Sequence, residues 1–196
     1  MSEGVAVPSE FLAVSAAVEA APLSLPLDVC QVLVHDLPRA RDRDAALQHI
    51  DGVRRRLLGD GLLTVNIDAS PPDPRDGDTI ELQRVWTSDA AAYPVGGRKR
   101  KTLTPWTRQL LSDARMFVGE GDAVLREVFD DHALIASLGL RAIVNVPLLD
   151  AHGRCAATFN LLGTRPVWQP HELALVQLLA LLATPWVIGP RSARNA

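Results

Sequence analysis

Residues 138–183 read LGLRAIVNVPLLDAHGRCAATFNLLGTRPVWQPHELALVQLLALLA. Two apolar runs, RAIVNVPLL and RCAATFNLL, flank Asp150-Ala151-His152-Gly153, which has the composition of a turn. Such a pair reads as a β-hairpin. Pro170, with Glu172 in the first turn, then opens a helix expected to run to about Pro185. A hairpin closed off by a helix belongs to an α+β design, not to alternating strand–helix units around a parallel sheet.

Side chains alternate across a strand, so the hairpin has two readable faces. With the loop at 150–153, Leu149 is expected opposite Arg154, and Asn145 opposite Thr158. One face then carries Ala142, Val144, Val146, Leu148, Cys155, Ala157, Phe159 and Leu161, all apolar. The nearly all-apolar last helix is expected to cover it. The other face carries Ile143, Asn145, Pro147, Ala156, Thr158, Asn160 and Leu162. A polar group buried without a partner costs about 1–3 kcal/mol. Asn145, Thr158 and Asn160 therefore need backbone, water or a ligand.

Upstream, DAVLREVFDDHALIASLG (122–139) reads as one helix closed by Gly139. Its three-and-four spacing places His132 on the inward stripe, either bonded to a carbonyl or donating into a pocket. ARMFVG (114–119) is a short strand, and Thr104-Pro105 caps a helix. TIELQRVWTS (79–88) is a strand with Ile80, Leu82, Arg84 and Trp86 on one face. An arginine among apolar neighbours either snorkels at a rim or waits for an anion. LLTVNID (62–68) is another strand, joined to it across SPPDPRDGD (70–78), a turn by composition. Residues 41–59 have helical spacing and end at Gly59. Residues 1–40 read as a partly helical extension: Ser9 could cap a short helix stopping before Pro22, and DVCQVLVH around Cys30 suits a strand or an arm. Residues 189–196 are expected to be a flexible tail.

The chain has 196 residues, 47% of them hydrophobic and 22% charged, which is ordinary globular material with one sizeable core. A net charge of −3 excludes a wholesale electrostatic grip on nucleic acid or anionic membrane. Cys30 and Cys155 are the only cysteines, no disulfide framework, which fits a reducing compartment. The N-terminus lacks the cationic start of a signal peptide. The most apolar run, 173–188, reads as short of a membrane span and is interrupted by Gln177 and Pro185. A soluble, cytoplasmic protein with no membrane contact is expected.

The basic stretch YPVGGRKRKTLT (93–104) is not a phosphate-binding P-loop, because Arg100 stands where a glycine must precede Lys-Thr. Nor is GEGD (119–122), whose carboxylates would repel an anion at a helix start. Arg98, Lys99, Arg100 and Lys101 read as a solvated loop, so nucleic-acid binding is not expected. Pro94, Gly96 and Gly97 give the preceding turn its shape. Tyr93 is expected inward as part of a lid, with the cations outward.

The hairpin, the NVPL strand end, the turn with Gly153 and Trp168 shortly before an acidic helix start together resemble a GAF domain. RVWTSDAAAYPVGGRKRK (84–101), TPW (104–106) and FDDH (129–132) resemble a stand-alone, single-domain bacterial variety with a Tyr-Pro-Val-Gly-Gly loop. The likeness covers residues 41–188. It implies a central antiparallel sheet, terminal helices on one face and a ligand pocket on the other. It also implies a non-catalytic, sensory homodimer joined through terminal helices, binding a small and possibly anionic molecule. The ligand-binding candidates are Arg84, Trp86, Tyr93, Trp106, His132, Asn145, Thr158 and Asn160. No metal or cofactor is expected.

Signatures of better-known GAF chemistries do not match. Asn160 is followed by Leu161, where cyclic-nucleotide binders have lysine, and neither cysteine suits bilin attachment. An enzyme resembling the free methionine sulfoxide reductases is one alternative, though Cys155 would be its lone in-domain thiol. The other is an adaptor that binds protein or nucleic acid through the basic loop.

Overall fold

A computed structural model describes residues 24–70, 79–102 and 104–189. The Ser9 helix, most of the 70–78 turn and all but the first residue of the C-terminal tail lie outside the described residues. Six strands form one antiparallel sheet: β1 (Gly61–Asp68), β2 (Thr79–Thr87), β3 (Arg98–Thr102), β4 (Phe117–Glu120), β5 (Ala142–Leu149) and β6 (Cys155–Gly163). Their order across the sheet is β3-β2-β1-β6-β5-β4. The expected α+β class is what the chain adopts.

Helices from near the two ends of the described chain cover one face. Leu27–Gln31 is α1, and it continues through a wide turn (Val32–Asp36) and a 3-10 turn (Leu37–Arg39). The Cys30 segment is thus helical, neither strand nor arm. It packs as part of the domain, since Val29 and Leu37 join the main core. Arg43–Leu58 is α2, capped by the Asp42 side chain accepting from the Ala45 backbone N–H at 2.8 Å and ended by Gly59 at φ 79°. Pro105–Thr107 is α3, continued by a wide turn over Arg108–Ser112. The capping at Thr104 is as expected: its hydroxyl accepts from the Thr107 N–H.

The last helix, α6, spans Pro170–Ile188. It runs past Gln177 and Pro185 rather than stopping at the proline. Its 19 residues are long and apolar enough to cross a membrane by length and composition, contrary to the sequence reading. On its inner side Leu175, Val176, Leu179, Ala180 and Ala183 are buried against the sheet. Phe159, Leu161, Val144 and Leu148 meet them from the hairpin's apolar face. Each such side chain contributes roughly 1.5–3 kcal/mol by leaving water.

Three local departures from the sequence reading shape the other face. The hairpin register is shifted by two residues: Asn145 opposes Asn160, and Pro147 opposes Thr158. A bulge at Leu148/Leu149 and the Asp150 side chain, which accepts from the His152 and Arg154 N–H groups, enlarge the turn. A two-residue shift preserves alternation, so both faces keep their expected residues. In β2, Asn66 pairs with Arg84 and Val65 with Trp86, leaving Val85 as the extra residue of a bulge. Finally, 122–139 is not one helix. It divides into α4 (Gly121–Val128) and α5 (His132–Ser137), because Phe129 is extended (φ −118°, ψ 123°).

Candidate functional site

The sheet face away from α6 bears a cavity of about 70 Å³. Its floor comes from β1, β5 and β6, and one side comes from β2 and β3. The break between α4 and α5 supplies Phe129 and Asp131, and the loop before β3 closes over it with Tyr93. That volume suits a few waters or a small organic molecule.

The floor is an ordered polar chain. Trp106 Nε1 donates to Asn145 Oδ1 at 2.9 Å, and Asn145 Nδ2 donates to Asn160 Oδ1 at 2.8 Å. Asn160 Nδ2 in turn reaches the Thr158 hydroxyl at 3.1 Å. An indole N–H can only donate, so it fixes the orientation of every amide behind it. The two asparagines therefore find partners within the protein. Thr158 stands behind Asn160 as the end of the chain and does not line the cavity.

Arg84 is different. The residue is 9% exposed, and its guanidinium lies over the Tyr93 ring, 4.7 Å from the centroid. Nη1 donates to the Pro94 carbonyl at 3.1 Å, while Nε is buried without a partner. The glycines of YPVGG make this possible. Gly96 sits at φ 85°, and a Cβ at Gly97 would come within 3.3 Å of Arg84 Nη1. Burial lowers the Arg84 pKa, with Tyr93 and Asp131 pulling it partly back. Arginine nevertheless stays charged in proteins, and the cost of holding that charge away from water is what a bound anion would offset.

Two more cations face the same space. RKRKT is an edge strand rather than a solvated loop, so its side chains alternate: Lys99 and Lys101 line the cavity while Arg98 and Arg100 face outward. The expectation that all four cations point away is corrected for two of them. Lys99 Nζ bonds Asp131 Oδ2 at 2.7 Å, and Lys101 Nζ bonds the exposed Asp130 at 2.8 Å. The Tyr93 hydroxyl also donates to Asp131 Oδ2, at 3.1 Å. Burial pushes the Asp131 carboxyl up, but the Lys99 bond and charge, with the Tyr93 bond, outweigh it and hold it below the usual range. Burial first, then Asp131, pushes the Tyr93 phenol well above its usual value.

Of the candidate residues, Arg84, Tyr93, Trp106, Asn145 and Asn160 meet at this cavity. Trp86 does not, because the Val85 bulge turns it into the helix-side core. His132 does not either: with the helix broken, it begins α5, its Nδ1 lies 3.1 Å from the Phe129 carbonyl, and it is not part of the lining. Lys99, Lys101 and Asp131 are cavity residues that the sequence reading missed. The alternation of RKRKT was the available signal for the lysines. Nothing in the sequence signalled the meeting of Asp131 with Tyr93.

A larger hollow of about 290 Å³ opens at the start of β1, between Arg55, Asp60, Asp89 and Leu138. It is a shallow groove, and none of the unpartnered buried groups lines it. The smaller cavity beneath Tyr93, with Arg84 in its wall, is the better candidate. Among the described residues no cluster of His, Cys, Asp or Glu is placed to hold a metal ion.

The model of the GAF domain family matches residues 26–184. The chain belongs to that family. The match begins within α1's approach and so takes in the helical segment that the sequence reading had set outside the domain.

Solved GAF structures share the fold at low identity. The GAF domain of a phosphoenolpyruvate-protein phosphotransferase from Coxiella burnetii superposes with a TM-score of 0.58 at 11% identity, covering 83% of this chain and 92% of that one. The GAF domain of a two-component sensor histidine kinase from Bacillus halodurans gives 0.52 at 12% identity, covering 85% and 94%. The chromophore-binding domain of a bacteriophytochrome from R. palustris gives 0.53 at 16% identity, covering 93% of this chain and 62% of that one. No curated protein matches the sequence.

Proposed function

We propose that this GAF domain is a non-catalytic sensor that binds a small anionic molecule beneath Tyr93. The observation that carries the reading is Arg84: a nine-tenths-buried residue on the cavity wall beside Lys99 and Lys101, whose Nε has no partner. Among the described residues three cations line the cavity against Asp131 in the lining and Asp130 at Lys101, an excess of positive charge that favours an anion. Trp106, Phe129, Ile143 and Leu162 provide an apolar wall for the rest of the ligand. The sensor-kinase and bacteriophytochrome neighbours are in keeping with a sensory role. The test is isothermal titration of small carboxylates and phosphates. Binding is expected in the wild type and lost in Arg84→Gln; binding that survives the substitution would remove Arg84 from the site.

The protein is further read as a cytoplasmic homodimer joined through its terminal helices. Leu181 on α6 is 67% exposed, and Leu27 and Val34 on the N-terminal helical segment are also exposed. Apolar side chains on terminal helices suit a partner surface. A signal would then follow from a ligand that favours one of two dimer arrangements.

The thiol-enzyme alternative fares less well. Cys155 is not part of the cavity lining, and burial, with help from Asp68, raises its thiol to about 12, far from a reactive thiolate. The adaptor alternative loses its continuous patch, since Arg98, Lys99 and Lys101 are each engaged by a carboxylate.

A further inference from the structure

Among the described residues Asp131 is the single carboxylate that lines the cavity, and the other charged side chains in the lining are positive. It is held there by two donors on one oxygen: Lys99 Nζ at 2.7 Å and the Tyr93 hydroxyl at 3.1 Å. Arg84 stacks on the same Tyr93 ring and feels the same carboxylate. Asp131 does not come from the sheet that builds the floor. It comes from the break between α4 and α5, two residues after Phe129, whose ring packs edge-on to Trp106 at 5.3 Å. A carboxylate on a short connecting segment is thus docked onto groups that belong to the sheet and the lid.

We propose that Asp131 is a built-in stand-in for the ligand's carboxylate, and that the ligand is a small organic acid which displaces it from Lys99 and Tyr93. This rests on the anion-binding reading of the cavity. The donors seen around Asp131 are those an incoming carboxylate needs, and a lysine with a phenol hydroxyl is a set that a carboxylate satisfies. Arg84 lines the same cavity and makes no bond to Asp131, so its guanidinium is a cation that the resident carboxylate leaves unused and the ligand can gain. Competition of this kind lowers the apparent affinity by the fraction of molecules in which Asp131 has let go. It also ties occupancy to position. When Asp131 is displaced, the 129–131 segment loses its bonds to Tyr93 and Lys99 and keeps only the Asp130–Lys101 pair at the sheet edge, so Phe129 can shift against Trp106.

The experiment is isothermal titration of propionate, succinate, benzoate and inorganic phosphate into wild type, Asp131→Asn and Asp131→Asn/Lys99→Gln. Trp fluorescence follows the same titrations, and thermal melts confirm that each variant is folded. Asp131→Asn keeps the shape of the side chain and removes the competing charge. Its affinity for at least one carboxylate is expected to rise on the order of tenfold, within the usual range for coupling between two binders of one site. The gain is expected to vanish in the double variant. An Asp131→Asn affinity equal to or weaker than a measurable wild-type affinity overturns the stand-in but leaves the anion site intact. An equal gain for phosphate overturns the choice of a carboxylic acid. Failure of both wild type and Asp131→Asn to bind any of the four overturns the anion reading and the stand-in together.

Discussion

Trp106 and Asn145 are joined by a 2.9 Å hydrogen bond from the indole N–H to the amide oxygen, which ties the α3 wall of the cavity to its floor. Everything behind that bond depends on its direction. In Trp106→Phe the amide oxygen of a residue only 1% exposed loses its donor. Destabilisation of about 1–3 kcal/mol is expected, read from urea unfolding midpoints. An unchanged midpoint would show that water replaces the indole at no cost.

Asp131 gives a pH signature. Its folded pKa lies below the ordinary 3.8, so its stabilising effect is complete above that value and fades as pH falls through the lower, folded one. Asp131→Asn is therefore expected to be less stable than wild type at pH 7, with the gap narrowing towards pH 3. Denaturant midpoints at the two pH values measure it. A gap that stays constant would assign the loss to packing rather than charge.

Cys155 is expected to resist alkylation. Its thiol is raised to about 12 and donates to the Ala157 carbonyl at 3.2 Å. In native protein at pH 8, iodoacetamide should modify it many times more slowly than in urea, as peptide mass spectrometry would show. The same shift makes a stabilising contribution that is full below about pH 9 and lost as pH rises towards 12. Rapid native labelling would reopen the thiol-enzyme reading.

Gly163 tests the wall between β6 and the approach to α6. A Cβ there would lie 2.8 Å from Trp168 Cη2. The indole is 7% exposed and has little room to retreat. Gly163→Ala is expected to destabilise the fold by roughly 1–3 kcal/mol, seen as a lowered melting temperature.

Leu181 tests the dimer. Leu181→Glu places a charge on the outer side of α6 without touching the sheet-side core. Sedimentation velocity is expected to show a dimer for wild type and a monomer for the variant. A monomeric wild type would end the dimer reading.

What the sequence made legible depended on parity. The hairpin register was misjudged by two residues, yet Asn145 and Asn160 still fell on the cavity face, because even shifts leave alternation intact. A single extra residue at Val85 did the reverse to Trp86. Bulges leave no reliable mark in composition, and valine is an ordinary strand residue. The division of α4 from α5 was hidden for a related reason: Leu125, Phe129, His132 and Ile135 keep helical spacing through a break that tertiary packing imposes. Asp131 could not be found from sequence at all, since its partners Tyr93 and Lys99 lie more than thirty residues away.

The edge position of β3 has an evolutionary consequence. Lys99 and Lys101 hang from a strand paired on one side only, with β2. Neither belongs to the buried hydrophobic clusters. Exchanging them for acidic residues would reverse the cavity's preference for charge while leaving the strand pairing in place, but it would also remove the partners of Asp131 and Asp130. Ligand choice in this fold can therefore drift along its rim, provided that Asp130 and Asp131 change in step with the lysines.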